Sequence, residues 1–274
     1  MMWAVCFRML RNLSVRHFRN LAHLDIADLS PVNVFWGSNG AGKTSILESI
    51  HCLATSRSFR SRKHTGLVSL DADQFLLFGR YLRAHQGNQP GADATKDALG
   101  RVGIQRHRSG DPVIKKDGER VLRLSDLSQE FPVLVLNSDS FDMLLGGPAK
   151  RRQLIDWCLF HVKHETFFPI WQRYQRVLKQ RNDALRRAKM GGGRELLDPW
   201  DEQLIALGAD LDLLRRTQLE HLVDAFEAVT SDLQGLFSSD GVLLPPLKLE
   251  YSNGFGRHPS LREAIERERD GDCR

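Results

Sequence analysis

Residues 37–44 read G-S-N-G-A-G-K-T, and no other stretch of the chain constrains its fold as tightly. The spacing GxxxxGK[ST] is that of a loop that cradles nucleotide phosphates when it joins a strand to a helix. The flanks fit: residues 32–36 form a short apolar run of buried-strand type, and Ile46, Leu47, Ile50 and Leu53 fall on one face of a helix starting near Lys43. Glycines at 37, 40 and 42 permit backbone conformations that a Cβ would block, so successive N–H groups can converge on one anion. The helix N-terminus adds unpaired N–H groups and partial positive charge. Lys43 is then placed to reach the β- and γ-phosphates, and the Thr44 hydroxyl to ligate Mg²⁺. The expected nucleotide site is Gly37, Ser38, Asn39, Gly40, Ala41, Gly42, Lys43 and Thr44, with ATP or GTP and Mg²⁺ as ligands.

A chain of 274 residues, 41% hydrophobic and 27% charged, has room for one large or two modest domains and excludes a disordered or fibrous protein. Lys and Arg number 39 against 34 Asp and Glu, a formal +5, which leans toward a polyanionic partner such as nucleic acid. Cys6, Cys52, Cys158 and Cys273 are scattered without a C-x-x-C pair, as reduced thiols are, and the ten histidines show no zinc-ligand spacing. No apolar run approaches the length of about 18 residues that a membrane span needs. The expectation is a soluble, cytoplasmic protein without a membrane partner.

Along the chain, residues 13–16 and 23–26 read as short strands around a polar Phe18-Arg19-Asn20 corner, followed by the strand before the phosphate loop. Residues 75–82 and 102–105 read as strands separated by a Gly/Asn/Pro/Asp loop at 85–97. Residues 113–116 and 120–122 flank Asp117-Gly118, a strong hairpin signal, and residues 132–136 form another buried-strand candidate. After Pro148 the pattern turns helical: residues 149–163, then a stretch restarting near Pro169. Trp171, Tyr174, Leu178 and Leu185 face a second series, Trp200, Leu204, Leu207, Leu211 and Leu214, continuing through Leu222, Phe226, Val229, Leu233 and Leu236. Gly191-Gly192-Gly193 between them predicts two helices packed antiparallel along an apolar seam. Pro245-Pro246 ends this arm, and residues 247–251 read as a returning strand. The domain reading is 1–147 for the N-terminal part of the head, 148–244 for the helical arm, and 245–274 for a return toward the head.

Basic residues cluster beyond the loop and along the first arm helix, where they outnumber acids far more than a solvated helix face requires. The candidates for phosphate contact with DNA are Arg57, Arg60, Arg62 and Lys63, Arg151 and Arg152, and Arg173, Arg176, Lys179, Arg186 and Arg187. Glu48 reads as a structural hydrogen-bond partner, Asp139 as a candidate near the γ-phosphate, and the five tryptophans as core. No catalytic residue is assigned.

These residues together resemble the RecF family, bacterial recombination-repair ATPases of the ABC type related to SMC heads. The resemblance is carried by residues 13–20, the loop with its continuation to Ile50, residues 56–60, residues 146–157 and residues 178–182. It implies an α/β P-loop ATPase head with a mixed sheet and an inserted helical lobe bearing an antiparallel arm. It also implies ATP and Mg²⁺ as cofactors, an ATP-dependent homodimer of the full-length chain, and binding to single-stranded or gapped DNA. RecO- and RecR-type mediators, RecA loading and SOS induction complete the expectation. Two departures stand out. Residues 1–8 read as an extension before a start at Met9. The paired acids after a strand, and the LSxGQ-like segment that ABC enzymes use, are absent from the sequence, which therefore reads as truncated. With catalysis resting on positioning and electrostatic stabilisation, hydrolysis should be impaired more than binding. The alternative is a nucleotide- and DNA-binding module without turnover. A small-molecule P-loop kinase fits poorly with the long basic helices.

Overall fold

The structure, a computed structural model, describes residues 9–61, 64–83, 99–190, 194–238, 248–256 and 258–272. It divides into two units at Ser140/Phe141. The first is built on a six-stranded sheet of β1 (Leu10–Phe18), β2 (Leu21–Ile26), β3 (Gln74–Leu82), β4 (Leu99–His107), β5 (Val113–Lys116) and β6 (Glu119–Arg120). Its order is β2-β1-β3-β4-β5-β6, and every pairing is antiparallel, so the described residues show the antiparallel part of the expected mixed sheet. Strict alternation drives β3: Phe75, Leu77 and Tyr81 are buried while Leu76 and Phe78 face outward. Phe18 and Phe75 meet edge to face at 5.1 Å in the core. Helices α1 (Lys43–Thr55) and α2 (Leu124–Glu130) cover that face with Cys52, Leu53 and Leu127. The β5–β6 hairpin turns at Asp117 (φ 52°) and Gly118 (φ 97°), the two positive φ values that such a two-residue turn demands.

Two strand expectations are corrected. Residues 32–36 and 132–136 belong to no strand and join no ladder among the described residues. Val32, Val34 and Trp36 are 81, 79 and 88% exposed, and Leu136 is 73% exposed; only Phe35 and Val133 pack against the core. An unbroken apolar run signals burial on both faces, which needs a neighbouring strand on each side. The described sheet provides none there. The loop expected at 85–97 lies outside the described residues.

The second unit is helical: α3 (Asp142–Leu145), α4 (Pro148–Val162), α5 (His164–Lys189), α6 (Asp198–Ser238) and α7 (Leu261–Asp272). The antiparallel arm is present. Val177 packs with Leu204 and Leu207, and Phe167 packs with Leu159 and Leu211. Buried Arg181 donates from Nε to Asp201 at 2.6 Å, and Arg215 clasps Asp156 at 2.7 and 2.9 Å. Helix α5 starts at His164 rather than near Pro169, because buried Phe167 anchors its first turn and a proline in the second turn removes a single helical bond. The seam is shorter than the heptad series suggested: Val229 and Leu233 are exposed, since the first turns of α5 pack at Leu211 and Leu214 of α6. Gly191-Gly192-Gly193 and Pro245-Pro246 lie outside the described residues. Residues 248–251 form no strand; instead the Tyr251 hydroxyl donates to Asp212 Oδ1 at 2.6 Å.

Candidate nucleotide site

Helix α1 begins at Lys43 with Gly42 as its N-cap in the left-handed region, φ 96°. Gly37 and Gly40 also have positive φ, 147° and 82°, so the loop takes a backbone path that glycine favours. Gly42 has a second requirement: a Cβ there would stand 2.6 Å from Leu21 Cδ2. The Lys43 ammonium donates to the carbonyls of Gly37 at 2.9 Å and Ser38 at 2.8 Å, curling the loop around its own cation. Thr44 is exposed at the helix N-terminus, and its hydroxyl has no hydrogen-bond partner among the described residues. An exposed hydroxyl beside an ammonium at a helix N-terminus suits a Mg²⁺–phosphate pair, in which Thr44 would ligate the metal and Lys43 would neutralise the phosphate. No group of three or more His, Cys, Asp or Glu suited to a metal occurs among the described residues.

Periodicity selected part of the buried face of α1: Leu53 is fully buried and Ile46 and Ile50 pack against the core, but polar residues share that face and Leu47 does not. Ser45, Glu48, Ser49, Cys52 and Leu53 point inward, while Leu47 is 51% exposed. Glu48 is fully buried and accepts from Arg19 Nε at 3.0 Å and Nη2 at 2.6 Å, which makes it the structural partner expected. The Ser58 hydroxyl also donates to Glu48, and the Arg60 guanidinium lies 3.8 Å away. Burial pushes the Cys52 thiol up to about 12, so it stays protonated and inert. Burial also holds His51 below its ordinary value.

Sequence reasoning missed Asn20 as a site residue. Its Nδ2 donates to the Gly40 carbonyl at 2.7 Å, and its Oδ1 accepts from the Ser45 hydroxyl at 2.6 Å. An Asn in a polar corner was the signal available; its contact lies twenty residues along the chain. Beside it opens a cavity of about 590 Å³ lined by Arg19, Asn20, Ser45, Arg60, Ser69 and Arg108, among others.

The basic candidates separate on inspection. Arg57 and Arg60 are exposed after α1, and Arg62 and Lys63 lie outside the described residues. Arg151 donates to the carbonyls of Met143 and Gly146, closing the turn before α4, whereas Arg152 is exposed. Arg173, Arg176, Lys179, Arg186 and Arg187 are all exposed along α5, a run of about 21 Å at 1.5 Å per residue. Among the described residues only Arg186 of these five forms an ion pair, with Asp183 at 3.0 Å. Asp139 sits in a helical turn, Ser138–Phe141, and accepts from the Asn137 amide. Trp157, Trp171 and Trp200 are half-buried as expected of core residues, but Trp36 stands in solvent because its segment has no sheet neighbour.

Fold and loop together define an α/β P-loop domain of the ABC-ATPase head type, joined in sequence to a helical arm. The family model for the RecF/RecN/SMC N terminal domain matches residues 9–233. A "DNA replication and repair protein RecF" of Cellvibrio japonicus is 38% identical over 257 residues, covering 94% of this chain and 64% of its own length. The protein of the same name from Marinobacter nauticus is 34% identical over 263 residues, covering 96% of this chain and 67% of itself. The chain belongs to the RecF family, and it spans about two thirds of the length of these relatives. In fold it is similar to a solved structure of the recombination mediator protein RecF-ATP in the RecFOR pathway, with a TM-score of 0.73 and 24% identity over 100% of this chain and 70% of that one.

Proposed function

We propose that this chain binds ATP with Mg²⁺ at residues 37–44 and binds single-stranded or gapped DNA through exposed arginines and lysines, in the service of recombinational repair. The observation that carries the reading is the loop itself. Lys43, Thr44 and the α1 N-terminus form a cation, a hydroxyl and a set of N–H donors, the chemistry a triphosphate tail requires. DNA contact falls to Arg173, Arg176, Lys179, Arg186 and Arg187, with Arg57, Arg60 and Arg152 as further exposed cations. The family membership supports the rest of the role: ATP-dependent pairing of two heads in the full-length protein, cooperation with RecO- and RecR-type mediators, recombinase loading and SOS induction.

A second reading is a nucleotide- and DNA-binding module without turnover. Fluorescence anisotropy with labelled gapped and single-stranded DNA, with and without ATP, tests binding, and phosphate release tests turnover. ATP binding and DNA binding without phosphate release would select the second reading; absence of both would overturn the proposal.

A further inference from the structure

The corner between β1 and β2 presses three successive side chains onto the phosphate loop and its helix. We propose that Arg19, Asn20 and Glu48 form a brace that positions the loop, so that this corner sets nucleotide affinity by acting through Gly40 and Gly42; the inference rests on the nucleotide reading above.

Arg19 holds φ at 56°, a conformation L side chains rarely adopt, which persists only where the surroundings over-determine it. They do so here. Its N–H donates to the Leu67 carbonyl at 2.8 Å, its carbonyl accepts from the Ser69 hydroxyl at 2.7 Å, and Nη1 donates to the Gly66 carbonyl at 2.7 Å. The remaining guanidinium edge grips Glu48, whose carboxylate is fully buried and therefore depends on paired donors. With Arg19 fixed to α1 in this way, Asn20 falls between loop and helix, bonded to Gly40 and Ser45. Leu21 then lies over Gly42, its Cδ2 standing 2.6 Å from where a Cβ would be. A trans peptide points its N–H opposite to its C=O, so anchoring the Gly40 carbonyl also fixes the direction of the Ala41 N–H. That N–H turns toward the Ser38 carbonyl at 3.3 Å, a long bond that an anion can replace. The brace thus orders a donor before ligand arrives, and affinity gains from ordering that binding need not supply.

The test is calorimetric titration of Mg–ATP into the chain and its variants, with the folded fraction checked by circular dichroism at the titration temperature. Asn20→Ala and Glu48→Gln each weaken binding about tenfold, and the double variant is no more than about twofold weaker than the poorer single, because both act through one linkage. Losses that multiply independently, or unchanged affinity in folded Asn20→Ala, overturn the brace. Should Glu48→Gln fail to fold, Asn20→Asp takes its place. It keeps the acceptor for Ser45 and sets a carboxylate oxygen against the Gly40 carbonyl, and parental affinity in that variant overturns the brace. A parent that binds no ATP overturns the nucleotide reading and the brace with it; a parent that binds while the variants match it overturns the brace alone.

Discussion

The phosphate loop and the exposed face of α5 are both candidate anion sites, and they are built in opposite ways. At the loop and its helix, charge is answered group by group: buried Glu48 by Arg19 and Ser58, Lys43 by two loop carbonyls. Along α5, Arg173, Arg176, Lys179 and Arg187 stand in solvent with no ion-pair partner among the described residues. The first arrangement works by geometry, since a donor held by its hydrogen bonds is useful only where it points. The second works by field, since exposed cations attract a polyanion over a Debye length of about 8 Å whatever their rotamers. Arg181 marks the border between the two. It belongs to the same basic stretch, but it is buried against Asp201 and holds the arm together instead of offering charge outward.

That contrast can be broken by experiment. The largest effect is expected at the buried pair. Asp201→Ala removes the buried carboxylate to which Arg181 Nε donates and costs about 1–3 kcal/mol in urea denaturation, whereas Asp183→Ala, at an exposed pair, stays within about 0.5 kcal/mol. Equal costs would erase the distinction. Next comes DNA binding. Arg173→Ala with Arg176→Ala lowers the slope of log K against log salt by about two while leaving the melting temperature near that of the parent. An unchanged slope removes the α5 face from the DNA site. The smallest effect sharpens the enclosed side. His51 has a folded-state pKa held below 6.5 by burial, so between that value and 6.5 the unfolded chain binds the proton first. Stability therefore falls as pH drops below about 6.5, and His51→Gln flattens that part of the profile. Identical acid-side slopes for parent and variant would contradict the assignment.

How far each region was legible follows from the same difference. The loop was legible because its parts are contiguous, and the hairpin at Asp117-Gly118 because one dipeptide dictates the turn. The arm was legible through its heptads, yet its seam was overextended, because periodicity along α6 does not reveal where α5 stops covering it. The buried face of α1 was only partly legible, through Ile46, Ile50 and Leu53, and for a physical reason. Ser45, Glu48 and Ser49 are polar, and only their partners, Asn20 and Arg19 among them, make their burial tolerable. Arg19 and Glu48 are 29 residues apart, and Arg181 and Asp201 are 20 apart, distances over which a local pattern carries no information. Residues 32–36 failed in the other direction: their apolar run specifies a strand's faces but not its neighbours.

Whether the loop grips a triphosphate decides the function of this chain. Mg–ATP titrated calorimetrically into the parent chain and into Lys43→Ala tests this directly. The parent is expected to bind, and the variant to lose roughly 30-fold or more in affinity, the loss of a charged hydrogen-bond donor to phosphate. Equal affinity in the two proteins, or no binding heat from the folded parent, would contradict it.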